Sequence, residues 1–352
     1  MIDTIRVVPL LPAYYSLRNE ILSNNVHDWT AKSEEFTLSR TGSKKSSTRV
    51  IHTPTGFRAS FDPTLNWVEA SLPRLHYGCN GYQLKNQFEL TTARCAFMER
   101  LRFLTQVPNE EMMKVRRLDL VLNLHCNPRI LLSVHRGAGH PMIRRETELY
   151  RNHPPGKVRG QRQHEIDTLN TVRFQGACTT ITLYDKVREV MARKNSDWPA
   201  SIGCTRVEIQ LKGAKHIAKV LGFNNCDYIT LGQLNFKRCY TAYRDILLKF
   251  DGMASIPLFK PDLATCLAIL EHYPDTWRTF GNQRPLDWYR TSKNVTDRQF
   301  MHIRNEVRKL RGAVTRFSWS SLLPHDRYPA MVDVDPEGKE ILIPASTPDR
   351  FT

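Results

Sequence analysis

RRLDLVLNL, residues 116–124, decides how this chain folds. Leu118, Leu120, Leu122 and Leu124 alternate with Arg117, Asp119, Val121 and Asn123. Successive side chains of a strand point to opposite faces, so the stretch buries its leucines and presents an acid and its neighbours on the other side. Two further stretches share the pattern. In TRVEIQL (205–211), Val207, Ile209 and Leu211 alternate with Arg206, Glu208 and Gln210; in TTITLYDK (179–186), Ile181 and Leu183 alternate with Thr180, Thr182, Tyr184 and Lys186. If the three strands share one sheet, two carboxylates and a phenol meet on one surface.

That set suits metal-assisted phosphoryl transfer to a tyrosine. Charge builds on the phosphate oxygens during in-line attack, and a divalent cation stabilises it. Mg²⁺ or Mn²⁺ takes hard carboxylate oxygens, so Asp119 and Glu208 are the expected metal anchors. Asn123 and Glu69 are candidate auxiliary ligands. Tyr184 is the expected nucleophile; a free phenol has a pKa of about 10 and needs help at neutral pH. Lys186, two residues on along an extended chain, and Arg206, on the face of Glu208, are expected to favour the phenolate or neutralise the phosphate. The alternative reading is that these are ordinary residues on a half-exposed face.

The chain has 352 residues, 41% of them apolar, enough for a normal core and for two domains. Lys+Arg number 51 against Asp+Glu 35, a net charge of +16. That excess fits nucleic acid or an anionic membrane surface better than a small-molecule substrate. No apolar run is long enough to span a bilayer, and MIDTIRVVPLLP reads as a first strand, not a signal peptide. The eight cysteines form no CxxC and read as free buried thiols of a reducing cytosol.

Along the chain, 39–48 reads as a polar loop, and 48–54 with 56–62 as a hairpin turning at Thr55-Gly56. Residues 65–78 contain a strand with Trp67, Glu69 and Ser71 on one side, and 89–106 a helix that Pro108 ends. The stretch 135–166 is a long basic connection expected to touch DNA. A hairpin turns at Gln175-Gly176-Ala177, and a helix at 214–221 stops at Gly222. From about 225 the pattern is mainly helical (230–249, 261–272, 284–291, 296–311), with a boundary near 255 and a closing turn at Pro336-Glu337-Gly338 between short strands.

Other chemistries lack their residues. There is no His-x-His pair of the histidine-based relaxase kind and no GxxxxGK[ST] phosphate loop.

Several segments resemble the replication initiators of filamentous phages (the gene II protein family) and the related initiators of rolling-circle plasmids. MIDTIRV is similar to the phage family's opening, and WVEASLPRLHYGCNGYQL (67–84) to its E-x-S-L-P-K segment, with Arg74 for the usual Lys. RRLDLVLNL resembles its R-I-D strand, TTITLYDKVREV its Y-x-K-x-x-E element, and TRVEIQLK the R-x-E strand that follows. These occur in order over about residues 1–225. The resemblance implies metal roles for Asp119 and Glu208, a nucleophilic Tyr184 and an assisting Lys186; the second Asp of many plasmid relatives is Asn123 here.

The resulting expectation is an α+β chain. An antiparallel β-sheet nicking and joining domain (1–255), with helices on one face and the polar face open to DNA, precedes a mainly helical, basic DNA-binding region (256–352). There Thr296-Asp297 caps a helix carrying Arg304, Arg308 and Arg311, which are expected to contact DNA. The implied activity is rolling-circle initiation through a 5′-phosphotyrosine link. The implied partners are the origin duplex, the displaced single strand, and a host helicase and polymerase. Two alternatives stand beside it: a non-catalytic sequence-specific DNA-binding regulator, and a metal nuclease that uses water.

Overall fold

The structure, a computed structural model, describes residues 1–13, 28–37, 44–62, 64–105, 109–135, 147–151, 169–193, 203–250, 264, 267, 283–292, 295–311, 319–325 and 327–345. Its elements in chain order are β1 (Ile2–Pro9), β2 (Trp29–Thr37), β3 (Lys44–His52), β4 (Phe57–Asp62), β5 (Thr64–Ser71), α1 (Leu72–Tyr77), α2 (Gln87–Leu104), β6 (Met113–His125), α3 (Pro128–His135), β7 (Thr147–Arg151), β8 (Leu169–Gln175), β9 (Thr179–Asp185), α4 (Lys186–Arg193), β10 (Cys204–Lys212), α5 (Ala214–Val220), α6 (Phe236–Leu247), α7 (Pro285–Ser292), α8 (Asp297–Arg311), α9 (Trp319–Leu322), β11 (Met331–Val334) and β12 (Glu340–Ile343).

The strands form one antiparallel sheet in the order β2-β3-β4-β5-β1-β6-β10-β9-β8-β7, with β11 and β12 attached at the end of β6. The fold is α+β, as expected. β6 is the longest strand and the axis of the sheet: β1 pairs with its first part, β10 runs along its other edge, and Met331 of β11 pairs with Leu124 near its end.

The alternation in the sequence becomes two unlike faces. Leu118, Leu120, Leu122, Leu124, Val207, Ile209, Leu211, Ile181 and Leu183 are buried in one continuous core. Burying each such side chain stabilises the fold by about 1.5–3 kcal/mol relative to exposure. Helices α2 and α6 add their apolar stripes to that core. α2 starts where the Asn86 side chain accepts from Glu89 N (2.8 Å), and it buries Leu90, Phe97, Leu101 and Leu104 at helical spacing. α6 starts at Asn235 in the same way and buries Tyr243, whose hydroxyl donates to Val207 O at 3.1 Å.

Two local readings change. Residues 44–48 lie in β3 and not in a loop, paired with β2 through Lys44↔Thr37 to Thr48↔Ser33. A ladder needs backbone partners, not apolar side chains, and β2, which the composition did not announce, supplies them. The turn at Thr55-Gly56 is as expected, with Gly56 at φ 67°, the left-handed region that favours glycine. Part of the basic connection is also strand, since β7 pairs with β8; residues 136–146 and 152–168 lie outside the described residues, as do 39–43, Pro108, most of 261–272 and the expected boundary at 255.

Beyond that boundary the chain does two things. α7 and α8 bury Leu286, Phe300 and Val307 with Ala264 and Leu267 in a small cluster of their own. Residues 319–343 return to the sheet: Trp319 Nε1 donates to His135 Nε2 (2.9 Å), Tyr240 donates to Pro324 O (3.0 Å), and β11 joins β6. No helix among the described residues is long and apolar enough to cross a membrane.

Candidate active site

The three two-faced strands are neighbours in the order β6-β10-β9. Residues directly opposite across an antiparallel pair lie on the same face. The pairings Asn123↔Arg206↔Tyr184, Val121↔Glu208↔Thr182 and Asp119↔Gln210↔Thr180 therefore make three parallel rows on the face away from the main core. Tyr184 stands beside Arg206. Glu208 is one row away, and Asp119 is its diagonal neighbour across the β6–β10 pair.

Asp119 and Arg206 are each held by an opposite charge. Arg117 grips Asp119 with both arms of its guanidinium, Nε to Oδ1 at 2.9 Å and Nη2 to Oδ2 at 2.5 Å. Arg206 is buried; its Nη2 donates to Asp3 Oδ2 (2.6 Å) and its Nη1 to Asn80 O (2.8 Å), while Ser71 Oγ donates to the other oxygen of Asp3 (2.6 Å). Two buried atoms of the Asn123/Arg206 row, Asn123 Oδ1 and Arg206 Nε, have no hydrogen-bond partner among the described residues. The half-buried carboxylate of Glu208 and hydroxyl of Tyr184 have no hydrogen-bond partner among the described residues.

The electrostatics follow from this crowding. Burial pushes the Asp119 carboxyl up to about 6, against the pull of Arg117. Burial, then repulsion by Asp119, pushes Glu208 up to about 7. Burial also holds the Tyr184 phenol well above its ordinary value, although Arg206 pulls the other way. Lys186 falls to about 8 through burial and the nearby Arg206 charge.

Lys186 is reached differently from the extended spacing expected for it. The strand ends at Asp185, whose side chain accepts from Arg188 N (3.0 Å), and Lys186 opens α4, buried and paired with Glu189 at 2.6 Å. α4 in turn packs on the β11–β12 hairpin through Val187, Met191, Val332 and Val334. That hairpin and the segment 79–84 wall the site. Asn123 Nδ2 donates to Gly81 O (3.0 Å), and Val334 O lies so close to Gly81 that any Cβ there would collide with it.

The two auxiliary candidates separate. Glu69 is buried and taken by three arginines, Arg58 at 2.6 Å, Arg6 at 2.8 Å and Arg117 at 3.2 Å, so it anchors guanidiniums. The Asn123 side-chain oxygen is buried and has no hydrogen-bond partner among the described residues. Asp119 and Glu208 suit a divalent cation: two carboxylates on one face, of raised pKa and mutually repelling, with Glu208 lacking a hydrogen-bond partner among the described residues. Arg117 would have to share Asp119 with it.

Asp3 and Arg117 are the site residues that pattern reading missed. β1 is irregular between Ile2 and Ile5, which breaks the alternation that would have flagged Asp3. Arg117 shares the polar positions of its strand with Asp119, and two residues along one strand face is bonding distance for an arginine. The basic helix stands apart from these rows. Thr296 caps α8 reciprocally with Gln299, and Arg304 and Arg308 are exposed; the Arg311 side chain lies outside the described residues. No protein-family model matches the chain, and no curated protein matches it.

Proposed function

We propose that the chain nicks and rejoins DNA as a rolling-circle replication initiator, with Tyr184 as attacker. The observation that supports this most is the register that sets Tyr184 beside Arg206, one row from Glu208 and on the face of Asp119. The Tyr184 oxygen bonds to the phosphorus and its proton passes to solvent, while the bond to the 3′ oxygen breaks and that oxygen takes a proton from solvent. The 5′ phosphate stays on the protein and the released 3′ hydroxyl primes synthesis. The reverse attack by a 3′ hydroxyl rejoins the strand without ATP, because the link conserves the bond energy. Arg206, beside Tyr184 in the register, supplies with Lys186 positive potential for the developing charge. Asp119 and Glu208 would hold Mg²⁺ or Mn²⁺, which polarises the phosphate when bound. The proposed partners are an origin duplex, the displaced single strand, and a helicase and polymerase of a bacterial host.

The resemblance to the gene II-type initiators agrees with this reading, and so does the +16 charge. A second reading, a DNA-binding protein without catalysis, is favoured by the grip of Arg117 on both Asp119 oxygens. A third, hydrolysis by a metal-bound water, is favoured by the raised pKa of Tyr184. A labelled suicide oligonucleotide carrying the origin separates them. The expected result is a covalent adduct with Mn²⁺ or Mg²⁺ that Tyr184→Phe abolishes. Cleavage without an adduct selects hydrolysis; no cleavage with any divalent metal selects the non-catalytic protein.

A further inference from the structure

The outer face does not end at the acidic rows. Two more rows continue it over β1 to β5 and are basic. One is Lys32↔Arg49↔Ser60↔Trp67 across β2, β3, β4 and β5. The other is Arg58↔Glu69↔Arg6↔Arg117↔Lys212 across β4, β5, β1, β6 and β10, with Glu69 its acid. Lys32, Arg58 and Lys212 are exposed. Trp67 is half-buried, an aromatic on a polar face, with the Arg6 guanidinium carbon 4.6 Å and that of Arg49 5.9 Å from its ring centroid. The buried Glu69 carboxylate fixes Arg6 and Arg58 beside it without neutralising them both.

We propose that this half of the face is a track for single-stranded DNA, with bases stacking at Trp67 and its arginines and phosphates resting on Lys32, Arg49 and Arg58. Planar indole and guanidinium groups offer stacking that only unpaired bases accept, because a duplex hides its base faces. The surrounding cations match a phosphate chain. The rows are continuous with those of Tyr184, at strand spacings that put Trp67 on the order of 30 Å from it across the sheet. A strand lying on the track is therefore delivered to the acidic rows. This deepens the reading of the Tyr184 site and rests on it for the strand's destination alone.

The test uses the full chain carrying Tyr184→Phe, so that binding is read without covalent capture. Fluorescent oligo(dT) of about 20 nucleotides is titrated by anisotropy at several salt concentrations, with a duplex of equal length as competitor; a site of this size lies near the upper range for such grooves. The single strand is expected to bind more tightly than the duplex. Trp67→Ala should weaken it about 5- to 100-fold, the range of one lost stacking contact, and Trp67→Phe much less. Lys32→Ala should flatten the salt dependence by about 0.7 in log–log slope. The track is overturned if the duplex binds as well as the single strand. It is overturned equally if a folded Trp67→Ala binds like its parent. Should Trp67→Ala not fold, an unchanged salt slope in Lys32→Ala overturns it in the same way. Trp67-dependent binding by a chain whose unmutated form makes no adduct refutes the nicking reading and leaves the track standing; an adduct with Trp67-independent binding does the reverse.

Discussion

The two halves of the outer face are built from the same residue types with opposite logic. Around β6, β10 and β9 the charges are interior: Asp119, Arg206 and Asp3 are buried, and Asp119, Glu208, Lys186 and Tyr184 have displaced pKa values. Around β1 to β5 one buried acid, Glu69, gathers arginines whose heads reach solvent, with Arg58 47% and Arg6 38% exposed in their side chains. Desolvation is what makes a charge reactive and also what makes it costly. The first half therefore has the properties of a site for chemistry, and the second those of a site for binding.

Substitutions can break this contrast, the largest effect first. Arg206→Met should destabilise the fold by about 3–5 kcal/mol, because Asp3 and Asn80 O lose their partner inside the protein. Denaturant titration reads it. A loss below 1 kcal/mol would mean that the acidic rows are open to water and no different from the basic ones.

The second is a pH effect. The folded pKa of Glu208, about 7, lies above its unfolded value, so the folded state binds the proton more tightly. Its contribution is full below the unfolded pKa of about 4.3 and is lost as pH rises through about 7, so stability should decline across that window. Glu208→Gln should flatten that part of the stability profile, leaving the smaller share of Asp119. Above pH 7, Mn²⁺ should restore stability to the unmutated chain more than to Glu208→Gln, which differential scanning fluorimetry can follow. Equal restoration in both would remove Glu208 from the cation site.

The smallest effect belongs to the basic half. Arg58→Ala should cost no more than about 1 kcal/mol, since its charge is half in water and Glu69 keeps Arg6 and Arg117. Its signature should be the salt dependence of DNA binding. A large stability loss would show that Arg58 is structural, and the contrast between the halves would fail there.

Much of this was legible in the residues. The period of two in RRLDLVLNL, TRVEIQL and TTITLYDK is a backbone property, so it named the strands and the side on which Asp119, Glu208 and Tyr184 stand. The hairpins at Gly56 and Gly338 and the helix start at Thr296 are equally local, since turn and cap chemistry involves residues a few positions apart. β2 was not legible, because its ladder depends on a partner and its own residues carry no period.

What the sequence determined by itself was the content of each face: which side chains are apolar, which are charged, and that one face of each strand must be buried. Only the tertiary structure decided who meets whom. Strand order brought β10 between β6 and β9, and register set Tyr184 against Arg206 and not two residues away. The irregularity in β1 turned Asp3 toward Arg206. The end of β9 at Asp185 carried Lys186 into a helix, and the return of β11 joined it to the wall of the site, with Asp333 accepting from Gln83 N, 250 residues away in the chain. Alternation is fixed by one residue's geometry, whereas register and partner are fixed by the packing of the whole sheet on its helices, which no single strand encodes.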